Sequence, residues 1–348
     1  MTRIDRYLIR HIFAMAGLVA LVLVSIYTFV IFVSELGQLD HKGFGVWGLV
    51  EYALLQVPSN AYLLLPMIVL LGTLLGLGNL AQQNELTAIR CAGVSWGRVG
   101  TATLVAGVVL GGCGFLLGNW LGPLAQGAAD TLTGHRSSAH DYWLRDAADV
   151  VRIGTLRSAD QAADVTIYQL TPEHRIASTL TAASAHYADG SWQLHDVQRS
   201  VLGANGVQVE TLPVMQWHSG VTPKVLKLFV LKQDSLSAPG LLRLVHYLRS
   251  NHLAAEKYEM LLWRKLVEPL SIIAMMLLAV PFAAGHRLRQ SGIGQRLLAG
   301  ILIGVVFYVL DEVAVNLGEV YDWSPLLSAV TPTALFAAVA VWRLQRLQ

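Results

Sequence analysis

A run of about 20 apolar residues is long enough to cross the roughly 30 Å hydrocarbon core of a bilayer. Inside that core the backbone is satisfied only in a helix or a closed barrel. Six such runs occur in this chain, at residues 12–33, 54–81, 99–122, 266–284, 297–317 and 324–342. Between Val99 and Gly122 there is no Asp, Glu, Lys or Arg at all. The whole chain is 14% charged with a mean hydropathy of +0.51, against about 25% charged for an ordinary soluble domain. A formal net charge of +2 gives no sign of the strongly basic surface by which polyanion-binding proteins work. The first run reads as a span and not as a cleavable leader. It is too long, no small-residue cleavage site follows it, and five more spans come after.

Lysine and arginine stay on the cytoplasmic side in short loops. Arg3, Arg6 and Arg10 precede the first span, Arg90 and Arg98 follow the second, and Arg287, Arg289 and Arg296 follow the fourth. With Arg343 and Arg346 after the sixth, ten fall on one side. The short loops opposite, 34–53 and 318–323, offer only Lys42. An inner-membrane protein is expected, with both termini cytoplasmic and the long segment after the third span outside.

That segment, residues 123–265, holds 14 Lys/Arg and 13 Asp/Glu and no cysteine, since Cys91 and Cys113 both precede it. A disulfide framework and a cysteine-based zinc site are excluded there. From residue 142 to 231 the pattern is β. Val207 and Val209 alternate with Gln208 and Glu210, and Asp189-Gly190 and Asn205-Gly206 are dipeptides that favour tight hairpin turns. Residues 225–231 read as a strand with little solvent on either face, or as an edge facing a groove. Short strands with turns at this spacing predict a sandwich or jelly roll. Past Pro239 the period changes. Leu241, Leu242, Leu244, Val245 and Leu248 predict an amphipathic helix, and a second from about Ala254 runs into the fourth span. The expected fold class is an α-helical polytopic membrane protein of six transmembrane helices with an inserted all-β, jelly-roll-like periplasmic domain, organised as 1–122, 123–265 and 266–348.

Gly93-Val94-Ser95-Trp96-Gly97 matches the G-x-S-x-G nucleophile pattern, whose chemistry needs the serine on a strand-to-helix elbow with a histidine and an acid in reach. Here it lies between two spans with no strand before it, so it reads as a glycine-flanked turn leading into the third span. The chain has no Gly-Lys pair and hence no P-loop. No ATPase site of its own is expected, and uphill work has to draw on a partner or an ion gradient. Eleven histidines include no His-Glu-x-x-His spacing, and His135, His140, His186 and His195 read as surface residues, not metal ligands.

Asp311 and Glu312 interrupt the fifth run. A charge inside a span costs several kcal/mol unless paired or wetted. Asp311 lies 14 residues beyond Leu297, about 21 Å along the axis, near the outer interface. A solvated helix end and a proton relay or partner contact both remain open for it, and no basic partner is visible in the other runs. Residues 82–93 read as a short helix, with Asn84 as N-cap, Glu85 favoured by the N-terminal dipole and Gly93 as terminator. Leu86 and Ile89 share one face. One reading is a helix lying on the membrane surface. The other is a coupling helix seated in a cytoplasmic ATPase, with Glu85 offered to a basic groove.

These residues resemble the LptF/LptG family, the membrane permeases of the lipopolysaccharide export ABC transporter, and most of all its LptG branch. The resemblance covers the whole chain and is most specific at Asp5-Arg6-Tyr7, at residues 71–93 (LGTLLGLGNLAQQNELTAIRCAG) and at Phe307-Tyr308-Val309-Leu310-Asp311. It implies a permease subunit, not itself an enzyme, that extracts lipopolysaccharide from the inner membrane and passes it to a periplasmic bridge. It further implies an LptF-like second permease, two copies of the LptB ATPase using ATP and Mg, the single-span LptC and the bridge protein LptA as partners. No cofactor bound by this chain is implied. In the family pattern Glu85 matches the glutamate of the coupling helix, with Leu86, Ile89 and Arg90 beside it. Spans one and five would line a lateral gate, making Phe29, Ile31, Phe32, Lys42, Phe307, Tyr308 and Asp311 the candidate lipid-binding and gate residues. Better-known members carry lysines along the outer part of span one, suited to lipid A phosphates. This chain has Ile31, Gly37 and Gln38 there, with Lys42 the nearest cation. Arginines expected soon after span three give way to residues such as Asp130, with Arg136 a few positions on. Phosphate recognition is then expected from the partner subunit, or the cargo carries a different charge pattern.

Overall fold

The computed structural model describes residues 3–36, 46–132, 142–217 apart from 147–148, 159, 172–175, 189 and 204–205, then 219, 222–223, 226, 236–285 apart from 252 and 254, and 292–346 apart from 322. The chain runs α1 (Arg3–Leu36), α2 (Val46–Leu55), α3 (Val57–Gln82), α4 (Glu85–Cys91), α5 (Trp96–Leu116), a π-helical turn (Leu117–Leu121) and α6 (Gly122–Leu132). Six strands follow, β1 (Tyr142–Asp146), β2 (Asp149–Ser158), β3 (Gln161–Leu170), β4 (Ile176–Ala188), β5 (Ser191–Gly203) and β6 (Gly206–Trp217). The last helices are α7 (Ala238–Ser250), α8 (Glu256–Ala284), α9 (Ile293–Val320) and α10 (Pro325–Gln345). The chain divides into two compact units, Met1–Gln126 with Glu256–Gln348, and Gly127–Ala255.

Among the described residues six helices are long and apolar enough to cross a membrane: Arg3–Leu36, Val57–Gln82, Trp96–Ala129, Glu256–Ala284, Ile293–Gly318 and Pro325–Gln345. The second begins three residues later than the apolar run does, because Pro58 sits in the first turn of α3, where its missing N–H is harmless. Leu54 and Leu55 therefore close α2. At the centre of the helical unit is α3, whose most apolar stretch is 72% buried, against 11% for α1 and 17% for α9. Leu70, Leu74, Leu77 and Leu80 join Leu8 and Ile12 of α1 and Met275 and Met276 of α8 in one core.

Two glycines one helical turn apart, Gly72 and Gly76, let α1 approach α3 closely. A Cβ on Gly72 would stand 2.5 Å from Ala16 Cα, and one on Gly76 would stand 3.3 Å from Ile12 Cα. This is small-residue packing of the kind membrane helices use where there is no hydrophobic drive between them. Gly72→Val is therefore expected to cost at least the roughly 1–3 kcal/mol of an overpacked core. Gly17→Ala, where nothing lies within 4 Å, serves as the control and should leave stability unchanged or higher. Thermal unfolding of the detergent-solubilised protein reads the difference, and equal midpoints for the two variants would contradict this packing.

The inserted unit carries a six-stranded antiparallel sheet in which the strands pair in chain order, β1 to β6. Alternation sets its face. Ile153, Val165, Ala182 and Val197 pair across β2, β3, β4 and β5, all of them buried. At the first expected turn Ala188 pairs with Ser191 and Gly190 has φ +81, while Asp189 lies outside the described residues. The second expected turn differs. Gly203 pairs with Gly206, so Gly206 opens β6, and Asn205 lies outside the described residues. The expected strand at 225–231 lies outside them too, except for Leu226. That residue is helical, its N–H reaching Thr222 O at 2.9 Å, because Pro223 pre-sets a helix start. The helix foreseen after Pro239 is α7, with Leu241, Leu244 and Leu248 buried and Leu242 exposed.

Candidate functional site

Residue Asn84 turns the chain from α3 into α4. Its φ is +62, a value asparagine tolerates better than most residues. Its N–H reaches Ala81 O at 3.2 Å, and its carbonyl accepts from Ala88 N–H at 3.0 Å. Asn84 stands at the N-cap position, yet its side chain makes no capping bond, because the left-handed backbone is what the reversal requires. At the other end Gly93, with φ +88, terminates α4. Gly93 N–H bonds Arg90 O at 2.9 Å and Val94 N–H bonds Ile89 O at 3.4 Å, the paired bonds of a Schellman motif. Ser95 then caps α5 by accepting from Arg98 N–H at 3.3 Å. With a helix before it and its oxygen committed to a cap, Ser95 has the turn role and not that of a nucleophile.

The side chains of α4 are divided between bundle and solvent. Leu86 is 3% exposed and shares the core of Leu8, Ile12, Leu80, Trp96 and Val99, with Ile89 packed against it. The apolar face therefore anchors α4 inward. Glu85 accepts a hydrogen bond from Tyr7 Oη at 2.6 Å, and the Arg90 guanidinium lies 4.8 Å from the centre of the Trp96 ring. Gln82, Gln83, Asn84, Ala88, Cys91 and Ala92 are exposed and form the outward face.

On α1, Phe29 is 65% exposed and Ile31 and Phe32 are half-buried. On α9 the neighbours Phe307 and Tyr308 point in different directions. Tyr308 is 53% exposed, whereas Phe307 is 7% exposed and meets Phe336 edge-on at 5.1 Å. Lys42, Gly37, Gln38, Arg136, Arg287, Arg289, His135 and His140 lie outside the described residues, as does the side chain of Asp130. No group of three or more His, Cys, Asp or Glu side chains among the described residues is placed to hold a metal ion.

A cluster of charges inside the helical unit was not foreseen. Arg264 Nη2 lies 2.6 Å from Asp311 Oδ2 and 3.3 Å from Glu312 Oε2. Asp311 thus has a basic partner after all, and one forked guanidinium serves both carboxylates. The apolar run begins at Leu266, but α8 begins at Glu256, since helical hydrogen bonding continues past the end of an apolar stretch. Lys265, 9% exposed, donates to Gly118 O at 3.0 Å and lies 5.5 Å from the centre of the Tyr62 ring. That carbonyl is available for a physical reason. In the π-helical turn the Gly122 N–H goes to Leu117 O, and the next residue, Pro123, has no N–H to give. Glu268 stands one turn along from Arg264, within electrostatic reach of Asp311, Arg264 and Lys265. The available signal was Arg-Lys-x-x-Glu at 264–268, directly against the start of an apolar run.

Fold and clusters together define a polytopic membrane protein with an inserted β unit and a short docked helix between its second and third spans. The family model for the lipopolysaccharide export system permease LptF/LptG matches residues 6–346. The lipopolysaccharide export system permease protein LptG of Escherichia coli K12 is 31% identical over 354 aligned residues, covering 99% of this chain and 98% of that protein. LptG of Haemophilus influenzae is 28% identical over 352, with the same coverage. The chain belongs to the LptF/LptG permease family, as the residues at 5–7, 71–93 and 307–311 indicated.

Proposed function

We propose that this chain is an inner-membrane permease subunit, with cytoplasmic termini, that takes lipopolysaccharide from the membrane and passes it to a periplasmic bridge, driven by ATP hydrolysis in a partner. The observation that carries the reading, beside family membership, is the uneven cover of the helices. Both α1 and α9 pack on α3, yet their own apolar stretches have the least protein around them. In this reading the uncovered faces, with Phe29, Ile31, Phe32 and Tyr308, form the wall along which acyl chains pass, and an LptF-like partner supplies the other wall. The outward face of α4, with Glu85 at its start, receives an LptB-type ATPase that binds ATP and Mg, while LptC- and LptA-like proteins meet the β unit. Among the described residues, Arg264 beside span five is already engaged by two carboxylates and its neighbour Lys265 by a carbonyl. Phosphate recognition therefore falls to the partner subunit.

A photo-crosslinking residue at Phe29 or Phe32, in the complex reconstituted with lipopolysaccharide, tests the wall. An ATP-dependent lipid adduct is expected at both positions, and none at Phe336, which is 8% exposed in the core. Failure of both outward positions to capture lipid would favour a scaffold whose β unit only docks other envelope proteins.

A further inference from the structure

The segment Asp5-Arg6-Tyr7 marks the start of α1 but has no role in the reading above. Its outer members each reach across to the α4 region. Tyr7 Oη donates to Glu85 over a sequence separation of 78 residues, at a length typical of the strong O–H···O⁻ class. Asp5 Oδ1 accepts from Arg98 Nε at 3.3 Å, with the Asp5 side chain only 14% exposed. Arg98 lies in the first turn of α5, so the two contacts grip both ends of the segment from Glu85 to Arg98. One and two turns further along α1, Leu8 and Ile12 are 1% and 0% exposed and share a core with Leu86 and Trp96. The polar grips thus sit on an apolar seat that fixes their register. Arg6 between them is exposed.

We propose that Asp5 and Tyr7 are positioning residues of the coupling site, clasping α4 and its following turn to the base of α1 so that a displacement of α4 is delivered to span one. The proposal rests on the coupling role assigned to α4 above. Span one is the receiver because it has the least cover of the six spans, so least packing must be broken when it moves. Glu85 then has two tasks, contact with the partner and attachment to α1. Tyr7 holds its carboxylate at a fixed position for the first and transmits load for the second.

The test uses the full transporter complex in proteoliposomes, measuring lipid delivered and ATP hydrolysed in the same sample. Tyr7→Phe keeps the ring and removes only the hydroxyl. It is expected to lower lipid delivered per ATP about tenfold, the equivalent of one charge-assisted hydrogen bond, while the amount of co-purifying ATPase stays as in the wild type. Tyr7→Phe combined with Glu85→Ala should do no more harm than Glu85→Ala alone, because both break one link. Asp5→Arg should likewise lower the ratio while the amount of assembled complex stays as in the wild type, which a purely structural loss of folding would not allow, and the exchange Asp5→Arg with Arg98→Asp should restore it. A wild-type ratio in Tyr7→Phe, or no restoration in the exchanged pair, overturns the clasp. If Glu85→Lys blocks transport while the Tyr7 and Asp5 variants couple normally, the clasp alone falls. If Glu85→Lys transports normally, the coupling role of α4 falls and the clasp with it.

Discussion

Arg264→Met is expected to be among the most destabilising single changes in the helical unit. The Asp311 side chain is 15% exposed and that of Arg264 is 30% exposed, so removing the guanidinium leaves a carboxylate in helix packing with no counter-charge. Breaking one half of a buried pair typically costs about 3–5 kcal/mol, whereas replacing both halves with apolar groups of similar volume is often neutral. Glu312, at 47% exposure, adds little, because water already compensates it. The expected pattern is a large fall in folded yield and unfolding temperature for Arg264→Met in detergent, and recovery of most of both in Arg264→Met with Asp311→Leu. A single variant as stable as the parent would mean that the two helices are not joined by this pair. The pair also joins the most loosely covered of the later spans, α9, to α8, so its loss is expected to disturb transport even in molecules that remain folded.

Glu85→Lys is expected to abolish lipid transport while leaving membrane insertion intact. Lysine cannot accept the Tyr7 hydrogen bond, and it presents a cation where the proposed partner offers a basic groove. Placing like charges opposite one another at an interface costs several kcal/mol, or about two orders of magnitude or more in association. Glu85→Gln, which retains an acceptor oxygen for Tyr7 and loses only the charge, should fall between. Transport by the reconstituted complex and the amount of co-purified ATPase measure the effect. Normal transport by the lysine variant would end the coupling role of α4. The apolar partners of Glu85 answer differently. Leu86 is in the core, so Leu86→Ala acts through packing and lowers stability before it touches any partner.

Much of the candidate site was legible because its signals are local. Gly93 ends α4 where a left-handed residue was needed, and Gly190 takes its positive φ between β4 and β5, since each depends on the conformational range of one residue. The short helix at 85–91 was legible for the same reason. What the sequence left open there was direction. Leu86 and Ile89 share a face on any helix, but a single sequence does not state whether that face meets a partner or the rest of its own chain. Asn84 holds the N-cap position that its residue type favours, but by its left-handed backbone and not by a side-chain bond, a choice the residue type alone does not make.

The six membrane-length helices, the β unit between the third and fourth, and the family were determined by the sequence alone. Transfer of a 20-residue apolar segment into hydrocarbon is a large, additive and purely local free energy, and hairpin chemistry is equally local. Only the tertiary structure decided which apolar faces are covered, that Phe307 turns inward while Tyr308 turns out, and that Arg264 meets Asp311 and Glu312. It alone decided, too, that Tyr7 reaches Glu85. In a membrane the lipid-facing and protein-facing sides of a helix are both apolar, so no periodicity distinguishes them. Pairings between residues 47 to 93 positions apart leave no trace in the pattern of either segment.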